Sequence, residues 1–411
     1  LEVSLDTLPL IDRYTQFDAL VRRVFHIEDI TLGSSRDEFL VRYRGHLLDS
    51  DSAAAYDRLA ESLRPHAVTP LFRWDGDRHV ILLTASQAVP TPSNPRINLI
   101  LFILTLFSVL LTGGLYGLQD ALPAEWLPAL LVFIRNGWPF ALSMILILGA
   151  HELGHYFAGR YHGAHVTLPY FIPFPFSPFG TLGAFINMKD HPKNRRALLD
   201  IGIAGPLAGL VVALPVLYIG LRLSSVSALP VSIPADGAMQ MEGNSLLYLL
   251  FKYLAFGQLL PAPPSYEGFS PVLYWLRYFF TARPFPYGGT DVMLSGVAWA
   301  GWAGLLVTGL NLIPAGQLDG GHMIYVLFGK SVAQRLRPII LVFLALMGFV
   351  WSGWFLWFVL IFFLGRSYAE PLDQITPLDP RRKALAILAL VIFVLTFTPV
   401  PLTVLTPPLL P

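Results

Sequence analysis

From residue 97 onward the chain returns repeatedly to apolar stretches about as long as a bilayer is thick. They occupy 97–118, 138–161, 201–221, 292–314 and 384–402, with a longer one at 338–365. About 20 apolar helical residues cross the hydrocarbon layer, and backbone there must satisfy its own hydrogen bonds. Each stretch is therefore expected to be a helix. The run 338–365 predicts either one long tilted span or a hairpin turning near Ser352–Gly353. The shorter run 246–260 reads as an interfacial or re-entrant segment. Only 13% of the residues are charged, against about 25% in a soluble domain. The expected fold class is an α-helical polytopic membrane protein with about six to eight membrane segments.

Residues 1–95 differ in kind. Charged residues return at ordinary density there, and 38–48 reads as a strand. Residues 51–65 begin with Asp51, carry apolar residues at helical spacing and end at Pro65, which predicts a helix. "VTPLFRW" and "RHVILLTA" around "DGD" predict a hairpin. This is a small β-α-β-β domain of α+β type, joined by a linker at 89–95 to the transmembrane part, 96–411. No basic region followed by an apolar one opens the chain, so no signal peptide is expected. A net charge of +1 points to no nucleic-acid partner, and without cysteine neither a disulfide nor a thiolate metal ligand is available.

Basic residues suggest an orientation. Lys189, Lys193, Arg195 and Arg196 lie between the second and third apolar runs. Lys330, Arg335 and Arg337 follow the fourth, and Arg381, Arg382 and Lys383 precede the last. All three groups fall on one side only if 338–365 is a hairpin, which is the favoured reading. That side is then cytoplasmic and holds the N-terminal domain.

Ionisable residues inside an apolar run carry a high cost and mark function. "GAHELGHYFAG" (149–159) places His151 and His155 four apart, so both imidazoles share one helix face and can reach one ion. Glu152 sits one step round, where a general base would take a proton from water at that ion. Two histidines satisfied by interhelical hydrogen bonds are the plainer alternative. A tetrahedral zinc needs a third protein ligand. "NLIPAGQLDGGHMIY" (311–325) offers Asp319, a carboxylate in an apolar region, beside Pro314 and several glycines that predict a broken helix. Such backbone belongs where it is buried in protein or lines a cavity. An exposed Asp319 in a cytoplasmic turn is the alternative. His322 is a less favoured ligand, and His162 and His165 read as interfacial.

HELGH followed in order by "DIGIAGPLAG" (200–209) and "NLIPAGQLDGG" (311–321) resembles the site-2 protease family of intramembrane zinc metalloproteases over roughly residues 138–330. The flanks look like the branch that includes the plant chloroplast EGY-type proteins and their bacterial relatives, some of which lack the zinc motif. The resemblance implies one zinc per chain on His151, His155 and Asp319, with Glu152 as catalytic base. It also implies that Asn311 positions substrate or stabilises the oxyanion. Residues 222–291 show no strand series of the kind a PDZ domain needs, so substrate screening is assigned to the N-terminal domain.

Residues 166–188 are apolar yet hold Pro169, Pro173, Pro175 and Pro178, which exclude a regular helix. The resemblance implies a membrane re-entrant β-hairpin. Its strand at 180–188 could pair with a locally unwound substrate, with Gly180 and Gly183 allowing close backbone approach and Asn187 as a further contact. A structural loop plugging the site is the alternative. The expected activity is cleavage of transmembrane segments of membrane proteins, in a bacterial inner membrane or a chloroplast membrane, with the active site toward the cytoplasmic side. A metal transporter and a catalytically silent binding relative are the competing readings.

Overall fold

The structure is a computed structural model describing residues 10–405 apart from 35, 37, 87–92, 119–121, 232–238, 267, 269 and 287. Most of the expected linker therefore lies outside the described residues. The N-terminal part runs α1 (Leu10–Val21), β1 (Phe25–Leu32), β2 (Val41–Leu47), α2 (Ser52–Leu63), β3 (Val68–Asp75) and β4 (Arg78–Ala85). Its antiparallel sheet has the order β1-β2-β4-β3. Val41, Tyr43, Phe72, Ile81 and Leu83 point inward against Tyr56 and Leu59 of α2. The expected strand, helix and hairpin are all present. Helix α1 and strand β1 had not been anticipated.

Two long helices follow, α3 (Pro95–Tyr116) and α4 (Trp126–Tyr161), then a hairpin of β5 (Tyr170–Pro173) and β6 (Thr181–Phe185), then α5 (Arg195–Arg222). Next come β7 (Ser225–Ala228), β8 (Met239–Glu242), α6 (Leu246–Phe256), α7 (Pro271–Thr281) and β9 (Thr290–Met293). The chain closes with α8 (Gly296–Asn311), α9 (Asp319–Phe328), α10 (Lys330–Val350), α11 (Gly353–Leu364), α12 (Pro380–Thr396) and β10 (Leu402–Leu405). Side-chain caps start the helices where the sequence supplies them. Asn94, Asn194, Ser295 and Asp379 each accept from a backbone N–H of the first turn of α3, α5, α8 and α12.

Among the described residues four helices, α3, α4, α5 and α10, are long and apolar enough to cross a membrane. Helices α8 and α12 have 16 and 17 residues. At 11 residues, α6 is about 17 Å long, too short to span the roughly 30 Å hydrocarbon layer. The run 338–365 is a hairpin. Helices α10 and α11 turn back at Trp351–Ser352, and Arg337 donates across their base to the Phe362 carbonyl at 2.7 Å.

Helices α4, α5 and α8 form the centre. Small residues permit the crossings: a Cβ on Gly154 would lie 2.5 Å from the Ala204 carbonyl, and one on Gly301 2.5 Å from Leu217 Cα. The N-terminal domain is fastened to this bundle by residues 371–376, between α11 and α12. The Phe72 N–H donates to Leu372 O at 2.9 Å, and the Gln374 N–H donates to Phe72 O at 3.0 Å. On its other side the same tether donates from Leu372 and Asp373 to the carbonyls of Pro192 and Lys193, just before α5. Ile375 is buried in the N-terminal core. Lys193 pairs with Asp57 of α2 at 2.5 Å.

Candidate metal centre

His151 and His155 lie one turn apart on α4, and Asp319 is the first residue of α9. Between α8 and α9 the chain makes a short irregular turn through Pro314, with Gly316 at φ +57°. This turn carries the carboxylate back against α4. The Nε2 atoms of His151 and His155 are 3.2 Å apart, and Asp319 Oδ2 lies 3.5 and 3.4 Å from them. Donors about 2.0–2.2 Å from a tetrahedral zinc are about 3.3–3.6 Å from one another. The triangle therefore has the size of three corners of a zinc tetrahedron, and its nitrogen and oxygen donors suit that ion.

The surroundings orient the donors. His155 Nδ1 lies 2.8 Å from the Ile201 carbonyl; donating there leaves its Nε2 lone pair free to face a metal. Helix α5 can approach this closely only through glycine. A Cβ on Gly205 would sit 2.0 Å from His155 Nε2, and one on Gly209 would sit 3.1 Å from His151 Cβ. The "DIGIAGPLAG" segment is thus the wall against which the two histidines rest.

The three donors border a cavity of about 490 Å³, lined also by Glu152, Asn187 and Asn311. Glu152 is buried, and Ile186, just beyond β6, lines the cavity with it. Asn311 Nδ2 is 3.2 Å from His151 Nε2, which sets its amide at the rim of the donor triangle. His322 lines the cavity without joining the donor group, and its buried Nδ1 has no hydrogen-bond partner among the described residues. His162 and His165 stand apart, within hydrogen-bonding distance of Asp200 at 2.9 Å and Asp190 at 2.5 Å.

The hairpin glycines differ from each other. Gly180, at φ +72°, packs on α3: a Cβ there would lie 2.6 Å from Val109 Cα, and Ser108 donates to its carbonyl at 2.6 Å. Gly183, at φ +102°, has open space where a side chain would be, and its N–H donates to Thr181 Oγ1 at 3.0 Å. Neither lines the cavity, whereas Asn187 does. Tyr368 and Ala369, just before the tether, also line it and had not been anticipated. The proline-bounded polar stretch after α11 was the available signal for them.

A family profile described as Peptidase family M50 matches residues 139–351, more than half of the chain. The chain belongs to that family. Within it, the protein is similar to the probable zinc metalloprotease EGY2, chloroplastic, of Arabidopsis thaliana. The two are 34% identical over 272 residues, 66% of this chain and 43% of the relative. It is also similar to the probable zinc metalloprotease EGY1, chloroplastic, of the same plant, at 28% identity over 65% of this chain and 44% of that one. The probable zinc metallopeptidase EGY3, chloroplastic, again from Arabidopsis thaliana, is 27% identical over 65% of this chain and 44% of its own length. The chain thus spans less than half the length of these relatives. No solved structure matches it.

Proposed function

We propose that this M50 family member is an intramembrane zinc endopeptidase that cuts transmembrane segments of membrane proteins. The observation that carries the reading is the His151–His155–Asp319 triangle, with edges of 3.2, 3.4 and 3.5 Å, open on one side to a cavity. One zinc per chain, held by these three residues, would polarise a peptide carbonyl and bring the pKa of a water toward about 7.

The chain's own groups then divide the work. Glu152 takes the proton from the attacking water and passes it to the leaving amine. Asn311 donates from its amide to the oxygen on which negative charge develops. Gly205 and the Ile201 carbonyl keep His155 in place.

Substrate access uses the β5–β6 hairpin, read as dipping into the membrane. Strand β6 is paired with β5 alone among the described residues, which leaves its other edge to a locally unwound substrate. The hairpin runs on to Ile186 beside Glu152, so a strand added there ends at the base. Gly183 gives that strand room, Asn187 meets its backbone, and Gly180 fixes the hairpin on α3. The N-terminal domain, the 189–196 loop and the start of α12 share one end of the bundle. Their basic residues support a cytoplasmic-side site, or a stromal one in a plastid.

The Glu152→Gln variant tests the assignment. Zinc should remain at about one per chain while cleavage of a reporter span drops by at least ~100-fold, the lower range for a general base. Full cleavage by that variant would remove Glu152 from the mechanism.

A further inference from the structure

The metal-site cavity does not end at the helix bundle. It shares Asp190, His191, Pro192 and Ile201 with a second cavity of about 990 Å³ that reaches the N-terminal domain. There the walls are Arg64, Thr69, Thr84 and Ser86 on one side and the 190–193 loop on the other. A third hollow, of about 400 Å³, continues from Arg64, Thr69 and Ser86 to Val68 and Pro70 of β3. The path therefore leads from the metal donors to the edge of a sheet.

Part of that edge is free of strand pairing where the path meets it. Strand β3 pairs with β4 along its inner side, and on its outer side the tether bridges it at Phe72. Residues 68–70 have no strand on that outer side among the described residues, although Val68 and Pro70 are buried and Pro70 has no N–H to donate. The lining suits neither a lipid chain nor a membrane helix, whose own backbone groups are already paired. A path continuous with the metal donors and lined by threonine and serine hydroxyls and the Arg64 guanidinium suits the polar, extended part of a polypeptide held at those donors. The path is also held in shape, because the tether bonds β3 on one side and the 192–193 backbone on the other.

We infer that this groove binds, as an extended strand, the polar segment flanking the substrate's membrane span on the side of the N-terminal domain. The inference rests on the protease reading and specifies how that site selects its substrates: a span with a long unstructured flank is captured, and a span without one is not. The N-terminal domain is then part of the substrate-binding surface rather than an appendage.

The probe is a single-span reporter in liposomes with an unstructured polar flank of roughly 20 residues, about 66 Å when extended. The same reporter without the flank is the control. A benzophenone side chain is introduced into the full-length Glu152→Gln protein at Ser86, or at Trp74 beyond the tether. Cross-linking to the flank at Ser86 and not at Trp74 is expected. In the otherwise wild-type enzyme, Ser86→Trp should lower the ratio of flanked to flankless cleavage at least ~5-fold. Equal cross-linking at the two positions, or an unchanged ratio, overturns the groove. If the wild type cleaves neither reporter, that result counts against the protease reading alone, and the Ser86 cross-link still decides the groove.

Discussion

Among the described residues, two of the buried polar clusters are built on opposite principles. In one, His151, His155 and Asp319 aim their donor atoms at a single point, with no protein cation among them and a cavity alongside. In the other, Lys252 supplies the cation. Its ammonium lies 3.1 Å from Glu242 and 3.3 Å from Asp291, over the ring of Tyr248 at 4.6 Å. The Tyr248 hydroxyl donates to Glu242 at 2.8 Å. The second cluster carries its own counter-charge and ties β8, α6 and β9 together as structure. The first turns its lone pairs toward one point, as the donors of a metal site do. Buried ionisable groups mark a metal site when their lone pairs converge, and a structural joint when they already face a partner.

The sharpest way to break this contrast is to remove a converging donor. Asp319→Ala should abolish zinc retention in detergent-purified protein. The loss should exceed the ~10–100-fold in affinity that follows loss of an outer-shell partner. Metal analysis beside the wild type decides it, and full occupancy in the variant would move the third ligand to His322. A subtler change keeps every donor. In Gly205→Ala, a methyl would arrive 2.0 Å from His155 Nε2, so either the ring or α5 must shift. Zinc content should fall although all three ligands remain. Unaltered zinc would mean that α5 slides away at little cost and is not what seats the histidines.

The donor cluster was legible because its chemistry is local. Two histidines at helical spacing within an apolar run, and one carboxylate in another, announce themselves by the cost of burying them. The N-terminal strands showed for the same reason: alternation and a tight turn are short-range signals. What escaped depends on partners distant in sequence. The tether meets the N-terminal sheet at one bridge, Phe72 with Asp373, and no periodicity marks it. Strand β10 pairs with β8, so the last apolar run ends its helix at Thr396 and turns into a strand where a span to 402 had been expected. Helix α1 was within reach, since Phe17 and Val21 lie one turn apart and are buried.

The structural cluster should respond in stability and not in metal content. Lys252→Met leaves Glu242 and Asp291 buried without their cation. Breaking a buried pair in this way costs roughly 3–5 kcal/mol. Thermal unfolding in detergent should register that loss while zinc per chain stays at the wild-type level. If the variant loses zinc in proportion to stability, the two clusters are coupled and the contrast between them fails. If it loses neither, Lys252 is dispensable and the joint is held by packing alone.

The smallest expected effect is a pH dependence inside the same cluster. Two carboxylates share one ammonium, which leaves one excess negative charge out of water. Burial pushes the Asp291 carboxyl up from 3.8 to about 6, with Lys252 pulling it partly back. Its folded pKa thus lies above its unfolded one, so the folded state holds the proton more tightly. The resulting stabilisation is complete below about pH 4 and is lost as pH rises through about 6. Between pH 7 and pH 5 the wild type should therefore gain stability relative to Asp291→Asn, which has no proton to take up. Melting curves of both proteins across that window read the difference directly. Parallel curves would show that Lys252 neutralises Asp291 fully.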